Sequence, residues 1–174
     1  MRRSFFILLI ILTILSGCRK DDTPRTSGIN TIDNTLYGTG PYYANGFSFS
    51  QAKKISTLSD PEPDISIDND GTLLNLIFQA NNYKNSFYKV GEFADAASAE
   101  QAFNNLTSVS APQWIAMGDS IRINQVWIYR SGTERYTKIR IVKTVSKSRD
   151  PRGYAECTFE WLYQPDGSLT FPGK

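Results

Sequence analysis

The chain has 174 residues, with 19 lysines and arginines, 17 aspartates and glutamates, and no histidine. The lack of histidine excludes Ser-His-Asp and Cys-His catalysis, histidine-bound zinc and bis-histidine heme ligation. The near balance of charge argues against nucleic acid as a partner.

The N-terminus has the three parts of a secretory signal: Arg2-Arg3, an apolar run over residues 5–15, and small residues before Cys18. The apolar run is about eleven residues long, well short of the ~20 that a membrane-spanning helix needs. Leu15-Ser16-Gly17-Cys18 therefore predicts a lipoprotein signal peptide over residues 1–17 and a lipid anchor on Cys18. An ordinary cysteine beside an uncleaved anchor is the alternative. Removal of this signal leaves 17 basic and 17 acidic side chains, a net charge of zero.

The segment after the signal is polar and rich in Thr, Ser, Asn, Pro and Gly. It predicts a flexible tether over residues 18–40, followed by a single β-rich domain over residues 41–174. Lys20-Asp21-Asp22 resembles the signal that sends some Gram-negative lipoproteins to the outer face of the outer membrane, and a solvated charge cluster is the alternative. With Cys18 acylated, Cys157 has no partner for a disulfide and is predicted to be a small buried hydrophobe.

Strands are predicted where apolar and polar residues alternate between turn-forming residues. They cover residues 47–50, 64–68, 73–78, 86–90, 126–130, 136–143, 154–163 and 169–171. One helix is predicted to begin with a capping box formed by Ser98 and Gln101, with Phe103 and Leu106 on its apolar face. Residues 111–119 are predicted to be a loop.

The last third of the chain predicts an antiparallel meander. In residues 136–143 the alternation places Lys138 and Arg140 on the outward face, and in the next strand it places Glu156 and Glu160 there. Pairs between these acids and bases are expected to set the register of the two strands. The predicted fold class is all-β, a sandwich or barrel-like meander of mainly antiparallel sheet, with one helix.

Two sets of acids are candidates for chemistry. Asp64, Asp68 and Asp70 are close enough in sequence to offer several oxygens to calcium, and a turn with solvated acids is the favoured alternative. Glu156 and Glu160 share a strand face, and paired carboxylates can act in a glycosidase when their geometry is right; cross-strand ion pairs are the favoured alternative. The sequence has no histidine and no nucleophile motif, so no enzyme is predicted.

The order of these segments resembles that of the HmuY-like heme-binding lipoproteins over about residues 40–171. The segments that carry the resemblance are the aromatic opening 43–50 with Lys53, Asp64-Ile65 after a proline turn, and the closing segments 127–130, 136–141 and 154–163. The resemblance implies an all-β fold and an outer-membrane lipoprotein. It also implies capture of heme and its transfer to a TonB-dependent receptor.

Members of that family hold heme between two axial histidines or methionines. Met117 is the one methionine after the signal, so the ligand pair of the family is not matched. The candidate ligand-binding residues are Met117, Trp114 and Trp127, and packing of the aromatic side chains in the core is the alternative.

The sequence thus predicts a non-catalytic, surface-exposed outer-membrane lipoprotein that binds a small ligand, with heme or porphyrin as one candidate. The alternative is a protein-interaction module of an outer-membrane uptake complex with no small ligand. The predicted partners are the membrane, through the lipid, and a TonB-dependent receptor.

Overall fold

A computed structural model describes residues 25–71, 75–82, 84–148 and 152–173 of the chain. It contains the helix α1 (Ala96–Asn105) and the strands β1 (Ser27–Asp33), β2 (Asn45–Ser48), β3 (Lys53–Ser56), β4 (Ile65–Asn69), β5 (Leu76–Ala80), β6 (Phe87–Glu92), β7 (Met117–Gly118), β8 (Gln125–Arg130), β9 (Tyr136–Lys147) and β10 (Tyr154–Gln164). No helix within these described ranges is long and apolar enough to span a bilayer.

The strands form two five-stranded antiparallel sheets. Sheet A has the order β1-β10-β9-β8-β6, and sheet B has the order β3-β2-β4-β5-β7. The two sheets pack face to face as a sandwich, so the predicted all-β fold with one helix is confirmed.

The main core lies between the two sheets. Strand alternation in β10 sends Cys157, Phe159 and Trp161 into it, and all three are buried. Phe47 and Phe49 reach them from sheet B: the rings of Phe47 and Phe159 are 5.5 Å apart, and those of Phe49 and Trp161 are 5.7 Å apart. The prediction of an inward apolar face on β10, with Cys157 as a buried hydrophobe, is confirmed.

A second, smaller core lies on the opposite face of sheet A, under α1. Val126 and Ile128 point into it, whereas their neighbours Trp127 and Tyr129 point into the main core. Phe103 of α1 and Phe171 near the C-terminus complete the cluster. Sheet A is therefore covered on both faces.

This cover corrects the prediction that Lys138 faces solvent. Its side chain is fully buried, and Nζ donates to the carbonyls of Phe103 at 2.8 Å, Leu106 at 3.1 Å and Pro172 at 3.4 Å. The alternation of residues was predicted correctly, but it does not reveal that α1 packs on the polar face of the strand. Lys138 satisfies carbonyls at the C-terminal end of that helix.

The ion pairs expected between β9 and β10 are confirmed in part. Arg140 Nε donates to Glu160 Oε2 at 2.9 Å, and its Nη2 lies 2.7 Å from the same oxygen. Glu156 instead has Lys143 as its cationic neighbour, at 3.7 Å. A register shift between Thr158 and the following residue offsets this end of the pairing.

The predicted tether over residues 18–40 is wrong for residues 27–34, which are paired with β10. β1 pairs with β10 along its whole length, and Ile32 is completely buried in the main core. As an edge strand, β1 has polar residues on most of its positions, and Ile29 is 62% exposed, so the sequence lacks a clear alternation. Residues 1–24, with the predicted signal peptide and Cys18, lie outside the described residues.

The helix begins three residues earlier than predicted. Asp95 is its N-cap, and its carboxylate accepts the backbone N–H of Ser98 at 2.7 Å. Ser98 therefore lies inside the first turn, and the predicted capping box is wrong. Aspartate is itself a preferred N-cap residue, and that preference was the available signal in the sequence.

Three other segments differ locally from their predictions. The predicted strand 169–171 is reduced to one isolated bridge between Thr170 and Ser108. The predicted loop 111–119 contains β7 and a bridge from Ile115 to Phe87. Residues 73 and 74 of the predicted strand 73–78, and residues 149–151 before β10, lie outside the described residues.

Candidate functional site

The three residues proposed from the sequence as a ligand site do not meet in the structure. Trp127 is buried in the main core, where its Nε1 donates to Gln125 Oε1 at 3.0 Å. Trp114 lies on the helix side of sheet A, where its ring stacks on Tyr136 with centroids 6.0 Å apart. Met117 lies on β7 and is 49% exposed. The aromatic pair therefore follows the core-packing alternative.

A cavity of about 310 Å³ opens at the end of the sandwich where β8 turns into β9. Seven of its lining residues carry a hydroxyl or amide group: Ser48, Ser50, Asn81, Asn82, Tyr129, Ser131 and Thr133. Two acids, Asp64 and Glu62, also line it, and none of its described lining residues is lysine or arginine. We call this space the Asp64 cavity.

Asp64 is held in place from both sheets. Its Oδ2 accepts the backbone N–H of Phe49 at 2.8 Å, and its Oδ1 accepts the hydroxyl of Tyr129 at 3.4 Å. Burial raises the pKa of Asp64 above its ordinary value, although these hydrogen bonds act in the opposite direction. The carboxylate thus lies in a poorly hydrated position on the wall of the cavity.

The Tyr129 hydroxyl belongs to a short chain of hydrogen bonds. It accepts Asn82 Nδ2 at 3.3 Å and donates to Asp64, while Asn82 Oδ1 accepts the hydroxyl of Ser86 at 2.9 Å. Burial, and then the charge of Asp64, raise the pKa of Tyr129 well above its ordinary value. Tyr129 therefore keeps its proton at physiological pH and acts as a fixed donor.

The three aspartates considered for calcium have different partners. Asp64 faces the cavity, whereas Asp68 accepts Arg152 Nε and Asn34 Nδ2, each at 3.0 Å. Asp70 lies in the turn after β4, where Oδ2 accepts Asn75 Nδ2 at 3.3 Å. No group of three or more metal-binding side chains is present within the described ranges.

The sequence analysis identified Asp64 but grouped it with Asp68 and Asp70, and it missed Asn82. Asn82 follows β5, where the amide of Asn81 also lines the cavity. Two adjacent asparagines shortly after the predicted strand 73–78 were the available signal. Their meeting with Asp64 depends on how the two sheets pack.

Comparison of the chain with protein-family models gave no match, and comparison with curated proteins gave none either. The resemblance to the HmuY-like lipoproteins stays a prediction.

Proposed function

We propose that this chain is a non-catalytic, lipid-anchored surface protein that binds a small, uncharged, hydroxyl-rich ligand of the saccharide class in the Asp64 cavity. The observation that carries the proposal is the chemistry of the cavity wall. A fixed carboxylate lies among seven hydroxyl and amide side chains, with no lysine or arginine among the described lining residues.

The mixture of donors and acceptors favours hydroxyl groups as the ligand chemistry. A sugar hydroxyl donates one hydrogen bond and accepts others, and amide and hydroxyl side chains offer both kinds of partner. The two acids, Asp64 and Glu62, disfavour an anionic ligand because like charges repel, and the partial burial of Asp64 reduces the screening of its charge by water. The carboxylates of a porphyrin would find no cationic partner among the described lining residues.

The proposed absence of catalysis rests on the state of Asp64 and Tyr129, two of the three ionisable groups that line the cavity. Asp64 already accepts hydrogen bonds from Phe49 and Tyr129, and Tyr129 holds its proton firmly. These bonds position Asp64 as a fixed acceptor for a ligand hydroxyl. The sequence contains no histidine, so it offers no imidazole as a general base.

The position of β1 connects the cavity with the proposed anchor. Ser27, the first residue of β1, pairs with Leu162 near the end of β10, which is the same end of the sandwich as the β8–β9 turn. Eight residues separate Cys18 from Ser27. A fully extended segment of that length spans at most about 28 Å. Lipid on Cys18 would hold the cavity close to the membrane, in reach of an outer-membrane receptor, for which a TonB-dependent receptor is our candidate.

The ligand class is tested by applying the mature chain, purified in detergent, to a glycan array and measuring affinities of the array binders by calorimetry. We expect binding of neutral glycans. Asp64→Ala should lower their affinity at least tenfold, because a fixed, partly buried acceptor is removed from the site. Asp119→Ala, at an exposed position outside the cavity, is the matched control. The glycan must also be recovered unchanged after long incubation.

The porphyrin alternative is tested on the same preparation by titration with hemin. The proposal expects no shift of the Soret band. A saturable shift that disappears in Met117→Ala, together with no binding on the array, would overturn the saccharide proposal in favour of heme.

The anchor is tested separately by replacing Cys18 with alanine. We expect the wild-type chain in the membrane fraction and Cys18→Ala in the soluble fraction of the cell. Labelling with an alkyne fatty acid should mark the first and not the second. Equal labelling of both proteins would rule out Cys18 as the lipidated residue.

A second candidate function, docking to a protein partner, is favoured by two exposed apolar side chains. Ile115 and Met117 are close in the chain, on either side of a bend at residue 116, and they are 43% and 49% exposed. A photo-crosslinking residue in place of Met117 in living cells tests this surface. Crosslinks to one outer-membrane receptor that disappear in Ile115→Ser would support docking.

A further inference from the structure

A second cavity of about 290 Å³ lies beside the Asp64 cavity. Ser66 and Gln79, which face each other across β4 and β5, form part of its floor. Their neighbours Ile65 and Phe78 point into the main core, so Ser66 and Gln79 point to the outside of sheet B. The second cavity is therefore a depression on the outer face of that sheet.

The two cavities share part of their walls. Glu62 and Asn81 line both, and Asn81 Nδ2 is tied to the carbonyl of Pro63 at 2.9 Å. A ligand that fills the Asp64 cavity at the end of the sandwich can continue past these two residues onto sheet B. Together they outline a bent cleft with two compartments.

An aromatic ring stands at the rim of the second compartment. Tyr42 is 73% exposed, the highest value among the large apolar side chains of the described residues. Its backbone is fixed, because its carbonyl accepts the hydroxyl of Thr57 and the Thr57 N–H donates to the Ala44 carbonyl at 3.0 Å. A tyrosine ring that is exposed on an anchored backbone presents a flat apolar face to a ligand.

We infer that the ligand is an oligosaccharide of at least two sugar units, one in the Asp64 cavity and the next stacked on Tyr42 in the second cavity. This inference rests on the proposed function and extends it. A sugar ring has a face of C–H groups and a rim of hydroxyls. The Tyr42 ring can stack on the C–H face, and Ser66 and Gln79 offer hydrogen-bond partners to the hydroxyls.

The charge of the second compartment also fits a neutral sugar. Arg152 lines it, but its guanidinium is occupied by Asp68, with Nε 3.0 Å from Oδ1 and Nη2 in contact with Oδ2. The positive charge of Arg152 is thus balanced by the carboxylate of Asp68. An uncharged second unit needs no further ion from the protein.

The test is calorimetry on the mature chain with glucose oligomers, N-acetylglucosamine oligomers and the strongest array binder, each from one to four units. We expect affinity to rise about five- to tenfold from one unit to two or three, as a stacked ring is added, and then to level off. Tyr42→Ala should return the longer oligomers to the affinity of the single unit and leave the single unit unchanged. Tyr42→Phe, which keeps the ring, should behave as the wild type.

The outcomes separate this inference from the function on which it rests. If affinity does not depend on length, or Tyr42→Ala has no effect, while Asp64→Ala still abolishes binding, the second subsite is refuted and the Asp64 site stands. If no glycan binds to the wild-type chain, both are refuted. Folding of each variant is checked by its thermal unfolding midpoint, since Tyr42 is exposed and its loss should not move it.

Discussion

The hydroxyl of Tyr129 on sheet A donates to the carboxylate of Asp64, which precedes the first residue of β4 on sheet B. The two residues are 65 positions apart in the chain, and their 3.4 Å contact joins the two sheets at one end of the sandwich. Both residues also line the Asp64 cavity. The proposed site and the closure of the sandwich therefore depend on the same hydrogen bond.

Removal of the Tyr129 hydroxyl should weaken the fold as well as the site. Tyr129→Phe leaves Asp64 without one donor and the amide of Asn82 without one acceptor. We expect a loss of about 1–3 kcal/mol in the free energy of unfolding, measured with urea. Tyr42→Phe, at an exposed ring, is the control and should stay within about 0.5 kcal/mol of the wild type. Equal stability of both variants would contradict a structural role for this bond.

The raised pKa of Asp64 gives the stability of the protein a defined pH dependence. The native state holds the proton of Asp64 to a higher pH than the unfolded chain does. As the pH rises from the ordinary aspartate pKa, near 3.8, through the higher pKa of the folded protein, ionisation of Asp64 lowers the free energy of unfolding. Asp64→Asn lacks this titration. The difference between the unfolding midpoints of Asp64→Asn and the wild type, variant minus wild type, should therefore increase from pH 4 to pH 7. A difference that shrinks over this range would show that the folded pKa is depressed.

The buried Lys138 should be important for the attachment of α1 and the C-terminal segment. Lys138→Met keeps most of the packing volume but removes the donor from carbonyls at the end of the helix. Leaving them unsatisfied should cost about 2–4 kcal/mol of unfolding free energy. Lys143→Met on the same strand, where the side chain is 64% exposed, should cost much less.

Hydrogen exchange gives a second readout for this pair of variants. The amides of α1 should exchange faster in Lys138→Met, while those of β2 and β4 keep their protection. Uniform acceleration across both sheets would mean that Lys138 supports the whole sandwich and not the helix in particular.

The N-terminal strand offers a matched pair of substitutions at the same residue type. Ile32 of β1 is fully buried in the main core, whereas Ile29 of the same strand is 62% exposed. Ile32→Ala should destabilise the protein by about 2–4 kcal/mol and Ile29→Ala by less than about 1 kcal/mol, measured by chemical unfolding. Similar small effects at both positions would restore the interpretation of this segment as a tether.

The fold class and most strands could be predicted from the sequence because they depend on local alternation. β6, β8, β9 and β10 lie where period-two patterns occur, and the inward face of Phe159 and Trp161 follows from the same rule. The pair Arg140–Glu160 was also within reach, since adjacent strands of a meander bring such residues together. β1 could not be predicted from the sequence, because an edge strand with one fully buried apolar residue has too weak an alternation of apolar and polar residues.

The candidate site could be predicted only as isolated residues. Asp64, Trp114, Met117 and Trp127 were each singled out, but the structure separates the last three and joins the first with Tyr129 and Asn82. Alternation states which residues share a face of one strand. It does not state which face of one sheet meets which loop of another.

Local sequence patterns are enough to predict the all-β architecture, the C-terminal meander and the burial of Cys157, because strand periodicity and turn residues act over a few neighbouring positions. Only the packed fold shows that α1 covers the polar face of β9 and buries Lys138. It also decided that the ends of the two sheets enclose the Asp64 cavity. Both are consequences of long-range packing, in which the burial of apolar surface selects among arrangements that are equivalent at the level of local pattern.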